Sequence, residues 1–343
     1  MKTAPAFWWR PAGPAALALA PLGVVLGAVA ARRLARPPGF TAPVPVLCVG
    51  NFVAGGAGKT PTAIALAARA GARGRKPVML TRGYGGRLAG PVMVSPAHTA
   101  ADVGDEALLL ARAAPTVVAR DRAAGARLAV SAGADLIIMD DGFQNPGLAK
   151  TAAVMVVDGG VGTGNGLCLP AGPLRAPLRL QMARTALVVI VGGPADPLPS
   201  AAVIAAAAAA NVPVMRAHLA PEAPQRFAGR RVIGYAGIGR PEKFFATLRE
   251  TGAAVAETRA FPDHHPFTEA EAAALLERAQ ALGAALVTTA KDHARLPAGG
   301  IFGRLAAQSA VLAVGLQPDG PEGDEALDRL LGGLSAGRLA AGA

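Results

Sequence analysis

Short apolar runs without polar alternation recur along this chain, separated by stretches whose apolar positions fall at helical spacing. Strands are predicted at residues 44–49, 78–81, 116–119, 136–140, 154–158 and 187–191, and helices at 59–70, 105–113 and 122–132. A strand that is apolar on both sides must be covered on both sides, so the pattern predicts a parallel sheet between two helical layers. Residues 201–210 form an alanine-dominated tract, read as a helix on propensity alone. Residues 219–229 are rich in proline and polar side chains and read as a linker. A second α/β unit follows, with a strand at 232–235, a helix from Pro241, a helix at 269–282 and a strand at 285–288.

The N-terminal pattern is different. Residues 11–31 carry no charge, with Arg10 before them and Arg32, Arg33 and Arg36 after. The length suits a membrane helix, although alanine dominates and Pro14 and Pro21 interrupt it. Ala28-Val29-Ala30 has the small-residue pattern of a signal-peptide cleavage site, and a buried core helix is a third reading. An uncleaved anchor or interfacial helix is favoured. The arginines behind it would keep the following domain on the cytoplasmic face of the inner (plasma) membrane, where a nucleotide site would find its ligand.

Composition adds less. The chain has 343 residues, 52% of them hydrophobic, enough for two compact domains. The formal net charge of +11 favours anionic partners, acidic membrane phospholipid among them. Nucleic acid is not expected: aromatic residues are 4% of the chain, and no basic run interleaved with aromatics, zinc pattern or helix-turn-helix pattern is present. Cys48 and Cys168 lack metal-ligand spacing and read as thiols in a reducing compartment.

The strongest motif is Gly55-Gly56-Ala57-Gly58-Lys59-Thr60, between a predicted strand and a predicted helix. Gly55, Gly56 and Gly58 allow the backbone to wrap closely around phosphate oxygens, and the helix N-terminus adds a favourable dipole. Lys59 would neutralise the terminal phosphates of ATP, and the Thr60 hydroxyl would reach Mg2+. The usual spacing asks for glycine where Val53 stands, so this is a variant loop. The apolar run 136–140 ends in Asp140 and Asp141, the carboxylates expected to hold the metal. Variant loops of this kind also serve membrane-associated ATPase switches. Those often carry a lysine just before the glycines, and Phe52-Val53-Ala54 supplies none. The expected fold is α/β. Residues 1–36 form a membrane-associated helix, 37–222 a P-loop NTPase-like parallel-sheet domain, 223–335 a smaller α/β domain and 336–343 a frayed tail.

Further clusters follow in order: Val49-Gly50-Asn51, Thr81-Arg82-Gly83-Tyr84-Gly85, Gly104-Asp105-Glu106, Asp140-Asp141-Gly142-Phe143-Gln144, Gly164-Asn165-Gly166, Leu169-Pro170-Ala171-Gly172-Pro173-Leu174-Arg175, Asp263-His264-His265 and Lys291-Asp292. Together with the loop, this series resembles the tetraacyldisaccharide 4'-kinase family from about Val44 to Arg295. The resemblance implies transfer of the ATP γ-phosphate to the 4'-hydroxyl of a lipid A disaccharide 1-phosphate. It implies a catalytic role for Lys59, with Asp105 as the base and His264 holding it across a cleft, and makes His265 the lesser candidate. Glu106 is expected near Mg2+, and Arg120 and Arg122 near phosphate. Tyr84, Arg82 and Gln144 are expected in the nucleotide cleft, and Asn165 and Arg175 as substrate contacts. One position departs from the family pattern: Asn145 stands where histidine is usual, and asparagine cannot carry charge.

Overall fold

The computed structural model describes residues 4–192 and 198–334; the expected tail at 336–343 lies outside them. In chain order the elements begin with α1 (Pro14–Leu34), β1 (Val46–Gly50), α2 (Lys59–Ala72), β2 (Pro77–Thr81), β3 (Val92–Met93), α3 (Ala100–Val103), α4 (Asp105–Ala113) and β4 (Thr116–Val118). They continue with α5 (Arg122–Ser131), β5 (Leu136–Asp140), β6 (Ala152–Asp158), α6 (Leu178–Met182), β7 (Leu187–Val191), α7 (Ala201–Ala209) and β8 (Val214–Pro221). The rest are β9 (Arg231–Ala236), α8 (Pro241–Glu250), β10 (Ala254–Ala260), α9 (Glu269–Leu282), β11 (Ala285–Thr289), α10 (Ala290–Arg295), α11 (Gly300–Gln308), β12 (Ser309–Leu312), β13 (Val314–Pro318) and α12 (Pro321–Gly332).

Among the described residues, a nine-stranded sheet runs in the order β13-β8-β7-β6-β1-β5-β2-β4-β3. It is parallel except for β3 and β13, which pair antiparallel at its two edges. Every residue of β1, β5, β6 and β7 is buried. Alternate side chains fill opposite layers, as the two-residue period of a strand requires. Cys48, Ile137 and Met139 pack with Ala126 and Ala129 of α5 and Val203 and Ala207 of α7. Leu47, Val49 and Ile138 pack with Ala63, Leu66 and Ala67 of α2 and Leu110 of α4. A smaller parallel sheet, β10-β9-β11-β12, carries the second unit.

The smaller unit does not take in all of residues 223–335, the span expected for it. Residues 219–221 close β8 in the larger sheet instead of forming a linker, and after the smaller sheet β13 returns to pair with β8. Leu316 of β13 and Leu327 and Leu331 of α12 then complete the core beneath α2. Residues 314–332 therefore pack with the larger sheet, and burial of that amphipathic face is the reason.

α1 is long and apolar enough to cross a membrane by length and composition, with mean hydropathy 2.0 over its best window. It is not a core helix, because Leu17, Leu22, Val24, Val25, Leu26 and Val29 are exposed. Its other face lies on the segment 164–177. A Cβ on Gly23 would sit 2.9 Å from the Cys168 carbonyl oxygen, and one on Gly27 would sit 3.1 Å from the Cys168 sulfur. The preceding Trp8 donates its indole N–H to the Pro170 carbonyl at 2.9 Å.

Candidate active site

The glycine loop joins β1 to α2 at the carboxyl edge of the large sheet. Gly55 (φ +120°) and Gly58 (φ +89°) take backbone conformations that a side chain would strain. The loop is braced from behind. Asn51 donates to the Gly55 carbonyl at 2.8 Å, and Arg175 Nε to the Val53 carbonyl at 3.0 Å. Gln144 donates to the Asn51 carbonyl and to Gln181, and accepts from Arg175 at 3.2 Å. Arg175 and Gln144, expected beside substrate and phosphate, are thus placed as struts of the loop. The side chain of Asn165 likewise closes its own turn, bonding Ala171 and Leu167.

Beneath the loop, the Thr60 hydroxyl donates to Asp140 Oδ2 at 3.1 Å. Asp140 is 2% exposed, and its Oδ1 is buried with no partner among the described residues. Burial, and next the charge of Glu106, push its carboxyl up to about 7. An orphaned carboxylate oxygen beside a hydroxyl and within reach of a second carboxylate fits a hard divalent cation, which takes oxygen ligands. Among the described residues no group of three or more His, Cys, Asp or Glu gathers, so Thr60 and phosphate oxygens would have to share the coordination. Asp141 sits at φ +50° and turns to the Arg175 guanidinium at 2.7 and 3.3 Å, with Lys59 at 3.8 Å. Burial opposes its charge, but Lys59 and Arg175 prevail and hold it below the usual carboxylate range.

The Asp140 shift has a measurable consequence. Between about pH 4 and pH 7 the folded chain holds a proton there that the unfolded chain releases, so stability falls as pH rises across that window. Chemical denaturation of the nucleotide-free protein should register this decline, and Asp140→Asn should flatten it. A variant retaining the full slope would place its origin elsewhere.

Asp105 opens α4 and is 5% exposed. Its Oδ1 accepts the Glu106 amide at 2.9 Å; its Oδ2 accepts Arg295 Nε at 2.6 Å and faces His264 Nδ1 at 3.2 Å. Burial works against its charge, but His264, Lys291 and Arg295 together hold the carboxyl far below its usual range. His264 follows β10 with φ +59°, and its Nε2 lies 3.3 Å from Lys291 Nζ. Lys291 also bonds Glu106 at 3.2 Å. The pair is therefore built from both sheets, Asp105 from the larger unit and His264 from the smaller. His265 instead stacks on Phe261 with ring centroids 5.2 Å apart and bonds Glu271 at 2.9 Å.

The exposed Tyr84 ring lies 5.9 Å from that of His264. Arg122 is buried and bonded to the Ala119 carbonyl, and its Nε has no partner among the described residues; Arg82, Asp140 and Asp141 act on its charge. Arg120 is exposed and reaches the Gly86 carbonyl at 3.4 Å. Asn145 Oδ1 accepts the Gly147 amide at 2.7 Å and closes its own turn. Two features escaped the sequence reading. Arg295 is one; the other is Asp158, which ends β6 and accepts Arg240 at 2.7 Å and Lys243 at 2.9 Å from the smaller unit. Neither is marked by a contiguous motif.

Glu106 ties the loop to the carboxylate–imidazole pair, since its charge acts on Asp140 while its neighbour Asp105 meets His264. A glycine-lined turn opening a helix, with a carboxylate–imidazole pair assembled at the meeting of two units, fits a P-loop phosphotransferase. Within that class the particular kinship is clear: the profile described as tetraacyldisaccharide-1-P 4'-kinase matches residues 15–332, and the chain belongs to that family. It is 57% identical over 296 residues to a tetraacyldisaccharide 4'-kinase of Methylorubrum extorquens, covering 86% of this chain and 89% of that one. It is 55% identical over 325 residues to that of Methylobacterium nodulans, covering 93% of each. The crystal structure of LpxK from Aquifex aeolicus, described as an "apo" form in complex with ATP, shares the fold with TM-score 0.70 at 23% identity. That match covers 92% of this chain and 99% of the other.

Proposed function

We propose that this chain transfers the γ-phosphate of ATP to the 4'-hydroxyl of a tetraacyldisaccharide 1-phosphate, giving the bis-phosphorylated lipid A precursor. The observation that carries the reading is the Asp105–His264 pair beside the braced loop, in a chain of this family. The amides of residues 55–60 and the Lys59 ammonium would bind the β and γ phosphates. Thr60 and Asp140 would hold Mg2+, with Glu106 and Asp141 near it; the ion would neutralise charge on the transferring group. Arg122, with Arg120 at the rim, would add positive charge near the phosphates.

Asp105 would accept the proton of the sugar hydroxyl. His264 Nδ1–H would hold its other oxygen, and Lys291, donating to Nε2, would fix that tautomer. Phosphoryl transfer passes through a loose transition state, so placement of the acceptor oxygen matters more than a strong base. A seated smaller unit would also keep water from the γ-phosphate. The direct test incubates purified protein with Mg-ATP and the disaccharide 1-phosphate and weighs the lipid. One added phosphoryl group is expected; unchanged lipid with folded protein would sink the proposal.

The acceptor is a lipid, and the exposed side of α1 supports a membrane phospholipid partner on the cytoplasmic face of the inner membrane. Apolar area and the flanking Arg32 and Arg33 would both favour an anionic bilayer. Leu17→Glu with Val24→Glu should weaken sedimentation with anionic vesicles by about tenfold or more, since each carboxylate must enter the interface. These side chains are exposed, so thermal stability should stay close to that of the parent. Equal sedimentation would move the contact away from α1.

A further inference from the structure

One guanidinium joins the two units at Asp105. Arg295 ends α10, and its side chain is 8% exposed. Its Nε bonds Asp105 Oδ2 at 2.6 Å, across the boundary between units. Its Nη1 bonds the Gly237 carbonyl at 2.8 Å and Asp292 Oδ1 at 2.8 Å, both on the smaller unit. Asp292 is fully buried and fixed by the Thr289 hydroxyl at 2.6 Å. A planar fork held at one end by the smaller unit therefore grips the carboxylate at the other.

The count of lone pairs gives this grip a direction. An ionised carboxylate offers about four acceptor sites, two on each oxygen. Arg295 Nε takes one site on Oδ2, which His264 Nδ1 also faces at 3.2 Å, and the Glu106 amide takes one on Oδ1. Oδ1 is therefore the less crowded oxygen for a sugar hydroxyl. Without Arg295 the carboxylate could turn and share its free site between the two oxygens. Arg295 Nη2 is, moreover, buried without a partner among the described residues, whereas a guanidinium kept only for stability would satisfy its buried donors.

The geometry points to Arg295 as a positioning residue: it aims Asp105 Oδ1 at the acceptor hydroxyl only while the smaller unit is seated, and so couples seating to phosphoryl transfer. This rests on the reading of Asp105 as the proton acceptor. Arg295 acts through Asp105 and touches neither nucleotide nor lipid in this role.

The test is a double-mutant comparison on the full chain with Mg-ATP and disaccharide lipid. Arg295→Met should lower kcat by about 100-fold, the scale of misplacing a reacting group by about an ångström, while KM for ATP changes by less than about threefold. Arg295→Lys, which keeps charge but not the fork, should recover part of the loss. In an Asp105→Ala background, Arg295→Met should cost less than about threefold, because there is no carboxylate left to aim. Equal losses in both backgrounds, or a loss confined to KM, would overturn the proposal. If Arg295→Met does not fold, because the buried Asp292 has lost its guanidinium partner, Arg295→Lys compared in the two backgrounds reads the same coupling. An Asp105→Ala enzyme as active as the parent would sink the proton-acceptor reading instead, and is distinguishable from every outcome above.

Discussion

Lys59→Ala is expected to reduce turnover at saturating Mg-ATP by about 1,000-fold or more while leaving the fold intact. The first part follows from the charge that develops between the β and γ phosphates as the bond to the leaving oxygen breaks. A preorganised cation there acts in a site with little water, and removing one such group costs on the order of 100- to 1,000-fold. Phosphoryl transfer has few other sources of rate enhancement, so the upper end applies. The second part follows from the partners of Lys59 without nucleotide: the Gly55 carbonyl at 3.3 Å and Asp141 at 3.8 Å. Neither depends on it, because Gly55 keeps Asn51 as a donor and Asp141 keeps the Arg175 fork. A melting temperature close to the parent's, together with lost phosphorylation, is the expected pair of results. Undiminished turnover would detach the glycine loop from the reaction.

The parts of this machine that a reader of the sequence can find share a property: each is short, contiguous and surrounded by burial. β1, β2, β5, β6 and β7 are legible because both their faces are covered, so they appear as unbroken apolar runs. β10 is not, because it is an edge strand with much of its length exposed, and no unbroken apolar run marks it. α10 has six residues, too few for a helical period to declare itself. The return of β13 and α12 to the large sheet is a long-range event, and the helix pattern of residues 321–332 does not name its partner.

The site divides in the same way. Gly55 to Thr60 and Asp140 stand in contiguous motifs with a recognisable strand and helix around them, and Asp105 is marked by the family resemblance. What the sequence hides is which charged group faces which. Arg175 and Gln144, expected beside substrate and in the nucleotide cleft, also brace the loop from behind. Arg295 looks like a surface arginine and is buried against Asp105, and Asp158 looks like a strand terminus and holds two cations of the smaller unit. Burial turns those pairings into geometry, and burial is decided by the whole fold.

The second large effect concerns the imidazole. Asp105→Ala and His264→Ala should each lower turnover by about 100- to 10,000-fold, the range of a positioned proton acceptor, and the double variant should be little worse than the poorer single one. Groups that act as a unit lose their joint contribution once. Full additivity would mean that the 3.2 Å contact between them carries no function. The choice of replacement sharpens the test. His264 sits at φ +59°, where alanine meets a backbone penalty of about 1 kcal/mol, so part of any alanine effect comes from the turn itself. Asparagine tolerates that conformation, and its side-chain amide can donate from near the Nδ1 position to Asp105 Oδ2. If the imidazole only orients the carboxylate, His264→Asn should keep turnover within about tenfold of the parent. If the ring must carry the proton onward, asparagine should fail as badly as alanine, because an amide cannot take up a proton at neutral pH. The position of Lys291, 3.3 Å from Nε2, favours the first outcome: an ammonium can only donate, so it holds the ring with Nδ1 turned to Asp105. Turnover by His264→Asn at the alanine level, with an unchanged melting temperature, would show that orientation of Asp105 is not enough.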